Sequence, residues 1–181
     1  MTKRVVSRIL ALILPIVLLC GCSAKQLTGD EYHDEVIAAY KEYDKAIDGW
    51  GTYWSANVMT ETTERLYDTE FQKIQEHKSE LNKIVNSVED ALDRFDKIGA
   101  PPAEPEYVDL DEQMKNAVLI ECEWVNLTRK ILSAKSADEY KTAVDNFTAH
   151  AEETNGKGII TVYGKMFMKW GLGGDKDWFG N

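Results

Sequence analysis

The chain contains 181 residues, of which 44% are hydrophobic and 29% are charged, and its formal net charge at pH 7 is −10. A chain of this length falls in the usual size range of one domain and can bury a substantial core. An acidic surface repels the phosphates of nucleic acids and the headgroups of anionic lipids, so the composition argues against general binding of either.

The first 22 residues have the layout of an export signal. Three basic residues, Lys3, Arg4 and Arg8, precede an apolar run from Ile9 to Leu19, and Leu19-Cys20-Gly21-Cys22 ends the segment. A membrane span needs about 20 apolar residues, so this run is too short for one and suits a signal peptide.

This order of basic residues, apolar run, small residue and cysteine resembles the lipobox of bacterial lipoprotein signal peptides. The resemblance implies that residues 1–21 are cleaved and that Cys22 is acylated and becomes the first residue of the mature chain. It also implies a lipid anchor on the extracytoplasmic face of the cell membrane, or on the outer membrane if the host is Gram-negative. Cleavage removes three basic residues and no acidic one, which takes the net charge from −10 to −13.

Residues 22–27 form a predicted lipidated linker, and residues 28–155 form a predicted helical bundle. Thr28 and Glu31 have the spacing of a capping box, which predicts the start of a first helix. A stripe of apolar and aromatic residues at alternating four- and three-residue steps then follows along one face of this helix. Its members are Val36, Tyr40, Tyr43, Ile47, Trp50 and Trp54.

A second helix is predicted after Thr60–Thr63, a segment poor in helix formers that marks either a turn or a kink. Its apolar stripe extends to Phe95, and the helix can continue to Ile98. Gly99 then suits the left-handed position after a helix, and the prolines up to Pro105 prevent the helix from continuing.

The segment Ala100-Pro101-Pro102, followed by Glu106-Tyr107 and Leu110, resembles an elbow in small, uncharacterised helical lipoproteins of Gram-positive bacteria. Those proteins often continue Leu-His, whereas this chain has Leu110-Asp111. The resemblance implies a helical body and a location in the cell envelope, but it does not indicate an activity.

A third helix follows Pro105, with Glu121 close to its apolar stripe, and Ser136 and Glu139 repeat the capping-box spacing before a fourth helix. Packing these amphipathic helices against one another predicts an all-α fold, an antiparallel bundle of about four helices. The tail at 156–181 is rich in glycine and aromatic residues. It is predicted to be irregular and packed either on the bundle or at the membrane interface. Part of it permits a helix, whereas Ile160-Thr161-Val162-Tyr163 permits a strand.

Signatures of catalysis and metal binding are missing from the sequence. It contains no His-Glu-x-x-His, no pair of Glu-x-x-His motifs and no Gly-x-Ser-x-Gly. Cys122 is the one thiol left once Cys22 is acylated, and we interpret it as a buried hydrophobe. His77 lies on an apolar stripe and is predicted to be a core or boundary histidine. We therefore predict no catalytic residue, metal ligand or cofactor.

Aromatic residues are the one excess that suggests a function. Five are candidates for a groove that binds a peptide, glycan or apolar ligand, because aromatic rings with polar tips favour interfaces. They are Tyr43, Trp50, Tyr53, Trp54 and Trp170. The simpler interpretation is a bundle core with tyrosines at its boundary.

The favoured hypothesis is a non-catalytic binding or scaffold module of the cell envelope, tethered through lipid on Cys22. It includes an immunity or exclusion lipoprotein that intercepts a bacteriocin or an incoming phage. The expected partners are the membrane, through the lipid, and an envelope protein, peptide or glycan, but no nucleic acid. The alternative is an envelope enzyme or a metal-dependent factor that uses His77 and nearby acids.

Overall fold

A computed structural model describes residues 25–59 and 66–170 of the chain. These residues form five helices and no strand beyond an isolated bridge between Gln26 and Ala100. The helices are α1 (Gly29–Asn57), α2 (Tyr67–Phe95), α3 (Pro105–Ser133), α4 (Ala137–Thr154) and α5 (Ile159–Trp170). The prediction of an all-α helical bundle is confirmed. The predicted signal peptide with Cys22, the Thr60–Thr63 segment and residues 171–181 lie outside the described part of the chain.

The first helix begins at the predicted capping box. The Thr28 hydroxyl accepts a hydrogen bond from the Glu31 N–H at 3.3 Å, and the Glu31 carboxylate accepts one from the Thr28 N–H at 2.9 Å. That backbone bond, with help from Lys25, lowers the pKa of Glu31 to about 2. The start of α4 is only half of such a box. Ser136 caps the Glu139 N–H at 3.2 Å, but the Glu139 carboxylate accepts instead from the Lys135 N–H at 2.8 Å.

Helices α1, α2 and α3 run up, down and up, each antiparallel to the one before. Tyr53 of α1 meets His77 near the start of α2, and Glu35 pairs with Arg94 near its end. The elbow between α2 and α3 holds Gly99 in a conformation other than the left-handed one predicted. A Cβ on Gly99 would instead lie 2.9 Å from the Lys25 carbonyl oxygen, so glycine is needed there because the incoming chain passes close by.

The fourth side of the bundle is made of two helices rather than one. Both run antiparallel to α3, and α4 lies along its later half, where Trp124 and Phe147 pack with ring centroids 4.6 Å apart. Helix α5 lies along the earlier half, where the Lys165 ammonium donates to Gln113 at 2.9 Å. The break between them contains Gly156, whose φ of +73° favours glycine.

Helix α5 is packed onto the bundle by its apolar face. Ile159, Val162, Tyr163 and Met166 are buried, and the Tyr163 ring stacks on Tyr40 of α1. The prediction of an irregular tail is therefore wrong for Ile159–Trp170, because the helical spacing of these apolar residues prevails over the glycine within the segment. None of the described helices is long and apolar enough to cross a membrane.

Candidate functional site

A cleft of about 280 Å³ opens where the fourth side of the bundle passes from α4 to α5. All five helices contribute to its lining. Of the described lining residues, four are aromatic and five are aliphatic, and the other two are Glu121 and Thr128. The aromatic residues are Tyr43, Trp50, Trp124 and Phe147, and the aliphatic ones are Ile47, Val85, Val88, Val125 and Ile160. An apolar cleft with few polar groups is typical of ligand sites, and its volume is close to the lower end of their range of about 300–1,000 Å³.

The polar centre of the cleft is the carboxyl group of Glu121. It accepts a hydrogen bond from the Tyr43 hydroxyl and another from the Ile159 N–H, which lies 3.4 Å from Oε1. The next residue back along the chain is Gly158, and a Cβ there would collide with the same oxygen. The start of α5 can therefore come close to the Glu121 carboxyl group because Gly158 has no side chain, and the Ile159 N–H then donates to it.

Partial burial is the largest influence on the pKa of the Glu121 carboxyl group. It raises the pKa of Glu121, and the hydrogen bonds from Tyr43 and Ile159 and the nearby His150 oppose this only in part. Burial and the neighbouring Glu121 also raise the pKa of Tyr43, so its hydroxyl remains a donor at neutral pH. No ion pair formed within residues 25–59 and 66–170 includes Glu121. The cleft thus contains a carboxyl group that no lysine or arginine of the described chain neutralises.

We expect Glu121→Gln to raise the free energy of unfolding at neutral pH. A carboxyl group whose pKa is raised by folding is easier to protonate in the folded chain than in the unfolded one, so its charged form destabilises the fold above the raised pKa. Glutamine can still accept from Tyr43 and Ile159 but cannot ionise. Urea unfolding from neutral pH down to 4.5, the ordinary carboxyl value, should show the gain shrinking as pH falls.

The matched control for that measurement is Glu123→Gln, two residues along the same helix. Glu123 does not line the cleft and accepts a hydrogen bond from Asn126 at 3.2 Å on the exposed surface. Surface changes of this kind usually alter stability by less than about 0.5 kcal/mol. A loss of stability in Glu121→Gln at neutral pH would show that the carboxylate is a net stabilising group and not a cost.

The five aromatic candidates from the sequence lie in three different environments. Tyr43 and Trp50 line the cleft, and Trp54 packs on Trp50 with ring centroids 5.0 Å apart but is not part of the lining. Tyr53 shares a hydrogen bond of 2.9 Å with His77. Trp170 lies at the end of α5, away from the cleft. The structure therefore places two of the five candidates in the lining of the cleft and a third, Trp54, behind one of them.

Trp170 belongs to an aromatic cluster that joins α1, α3 and α5. The centroid of its ring lies 4.7 Å from the ring centroids of both Tyr107 and His33. The hydroxyl of the neighbouring Tyr32 donates to Asp111 at 2.9 Å. Asp111 also pairs with Lys115 at 2.7 Å. Among residues 25–59 and 66–170, the ring nitrogens His33 Nε2 and Trp170 Nε1 are buried and have no hydrogen-bond partner. Burial lowers the pKa of His33. This cluster holds the end of α5 against the bundle.

His77 and Cys122, the residues considered for chemistry in the sequence, both lie in partly buried positions of the described helices. Within it, no group of three or more His, Cys, Asp or Glu side chains is arranged to hold a metal ion. His77 is engaged with Tyr53. Cys122 is half-buried, and burial raises the pKa of its thiol, which is the opposite of what a nucleophile requires.

Sequence reasoning missed Trp124, Phe147 and Ile160 as cleft residues. The one local signal was Glu121, an acid close to an otherwise apolar helical stripe. Comparison with protein-family models, curated proteins and solved structures yields no match to this chain.

Proposed function

We propose that this chain is a non-catalytic binding module of the bacterial cell envelope. Lipid on Cys22 anchors it to the extracytoplasmic face of the membrane, and the cleft between the five helices binds its ligand. The anchor is supported by the lipobox-like order of residues 1–22. The observation that carries the binding function is the apolar cleft with Glu121 at its polar centre.

The cleft has the character of a ligand site and not of a packing defect. Protein interiors are close-packed, and each void forfeits contacts that would stabilise the fold. Here the lining also includes a carboxyl group whose pKa is raised by burial. The cleft thus lowers stability in two ways, through lost packing contacts and through a partly buried carboxyl group. Such a loss of stability is typical of a site retained for function.

Binding without catalysis fits the groups that the cleft offers. Glu121 is the one carboxyl group of the lining, and the hydroxyl beside it, on Tyr43, remains protonated. General acid–base catalysis commonly pairs an acid with a base at the reacting atoms, and the described lining offers Glu121 no second carboxyl or imidazole group for such a pair. The cleft provides instead an apolar surface and one acceptor.

The tether places this site close to the bilayer. Five residues, 23–27, separate Cys22 from the cap of α1 and reach at most about 17 Å. Tyr43 lies 14 residues after Gly29, so the cleft begins about 21 Å along α1 at 1.5 Å per residue. A ligand that arrives at the membrane surface would meet the cleft within a few tens of ångströms of the anchor.

We expect Ile160→Ser to weaken the binding of a neutral apolar probe, N-phenyl-1-naphthylamine, by about three- to tenfold, because the mouth of the cleft loses apolar contact. Ile160 is 56% exposed, so the substitution leaves the core intact. The measurement is probe fluorescence with the mature chain, residues 22–181 carrying Cys22→Ser. Every residue of the described core follows Cys22, and without lipid no detergent competes for the probe.

Met168→Ser is the matched control, because Met168 lies eight residues further along α5, is 79% exposed and does not line the cleft. It should leave the affinity for the probe unchanged within about twofold. Equal losses in both variants, or no probe binding by the unsubstituted mature chain, would contradict the proposed site.

A further inference from the structure

The carboxyl group of Glu121 has acceptor capacity that the described residues do not use. An ionised carboxylate offers about four acceptor positions on its two oxygens. Glu121 uses them for the Tyr43 hydroxyl and the Ile159 N–H. Since the residue lines the cleft, the remaining capacity is available to a donor that enters it.

The charge of that group is also unbalanced. The described lysines and arginines form their ion pairs with other acids, and His150 is the one basic side chain that opposes the raised pKa of Glu121 within the described residues. Glu121 is half-buried, and a carboxylate taken partly out of water carries a cost that a paired positive charge would offset. A ligand that supplies a positive charge removes this cost, whereas a neutral ligand leaves it in place and an anionic one adds repulsion.

The walls of the cleft favour the same kind of ligand. Tyr43, Trp50, Trp124 and Phe147 surround the space beside Glu121. Aromatic faces attract cations within about 6 Å of the ring centroid, and their apolar surface packs against a hydrocarbon chain. The net charge of −10 further raises the local concentration of cations around the whole protein.

From these observations, and resting on the proposed function that the cleft binds a ligand, we infer that it is a site for an alkylammonium group. The ammonium group donates to the Glu121 carboxylate, and the chain that bears it packs between Trp50, Trp124 and Phe147. A volume of about 280 Å³ accommodates one such chain and is too small for a helix.

The test compares n-octylammonium with 1-octanol, which has a chain of the same length and no charge. Isothermal titration with the mature chain, residues 22–181 carrying Cys22→Ser, should show tighter binding of the amine. Glu121→Gln should weaken binding of n-octylammonium by about 10- to 100-fold, since a charge-assisted hydrogen bond is lost, and should change 1-octanol binding by less than about threefold. Glu123→Gln, the control on the same helix, should leave both affinities unchanged.

The pH dependence gives a second readout. The groups that face Glu121 are Tyr43 of α1, His150 of α4 and the Ile159 N–H of α5, while α2 contributes only Val85 and Val88 to the cleft. Affinity for n-octylammonium should fall as pH is lowered and Glu121 becomes protonated, and this fall should be absent in Glu121→Gln. His150→Asn separates the histidine's contribution, because the fall should persist in that variant.

The outcomes distinguish this inference from the proposed function on which it rests. If 1-octanol and n-octylammonium bind equally and Glu121→Gln has no selective effect, the cleft is an apolar site and the alkylammonium assignment is wrong. If neither binds, the proposed site itself is wrong. A blocked Leu-Lys-Leu peptide can then replace the amine, with norleucine in place of lysine as its control. This comparison shows whether the cleft recognises the ammonium group of a peptide or only that of a free amine.

Discussion

Under the proposed lipid anchor, Cys22→Ser is expected to move the mature protein almost entirely from the membrane fraction of bacterial cells that express it to the soluble extracytoplasmic fraction. Two acyl chains give a stable anchor, whereas an apolar surface on a soluble domain gives none of comparable strength. The measurement is immunoblotting of fractionated cells, restricted to chains from which residues 1–21 have been removed. Mass spectrometry of the unsubstituted mature protein should find diacylglycerol on Cys22.

Two other cysteines provide matched controls for the anchor. Cys20→Ser alters the leader two residues away, and Cys122→Ser alters the half-buried thiol of α3. Both variants should remain in the membrane fraction. A processed Cys22→Ser chain that stays with the membrane, or an unmodified thiol at the mature N-terminus, would rule out the tether.

The largest loss of stability is expected from Tyr32→Ala. This side chain is 1% exposed and lies where α1 meets α3 and α5. Removing a buried aromatic ring costs about 3–5 kcal/mol of unfolding free energy, which urea denaturation can measure. Probe binding in the cleft should be retained under conditions where the variant remains folded, because Tyr32 does not line it.

Tyr32→Phe separates packing from hydrogen bonding at this site. It keeps the ring but removes the hydroxyl that donates to Asp111 at 2.9 Å, which should cost about 1.5–3 kcal/mol because a buried carboxylate loses a donor. Tyr53→Phe is a comparison at a half-buried position, where loss of the bond to His77 should cost less. A Tyr32→Ala variant that loses less than about 1 kcal/mol would show that the junction does not stabilise the bundle.

Local signals predicted the parts of the fold that depend on near neighbours. The start of α1 follows from Thr28 and Glu31, whose mutual hydrogen bonds need only a four-residue segment. The same spacing at Ser136 and Glu139 forms only one of its two bonds, because the Lys135 N–H lies within reach of the same carboxylate. Even at a helix start, a competing donor one residue away changes the outcome.

The cleft could not be predicted in the same way, because it depends on helices that are far apart in sequence. Tyr43 and Ile160 are separated by more than 100 residues, and they share one cleft only because α5 returns along α3 after the break at Gly156. The aromatic composition identified candidate residues but could not show which of them line the cleft. Trp50 and Trp54 lie one turn apart on the same helix, yet only Trp50 lines the cleft.

The pairing of Gln26 and Leu27 with the α2–α3 elbow has a mechanical consequence for an anchored protein. The Leu27 N–H donates to the Ala100 carbonyl at 2.9 Å, so the chain is already bound to the α2–α3 elbow two residues before α1 begins at Gly29. Under the anchor proposed on Cys22, a pull on the lipid is shared between the first turn of α1 and the elbow, so it does not act on α1 alone.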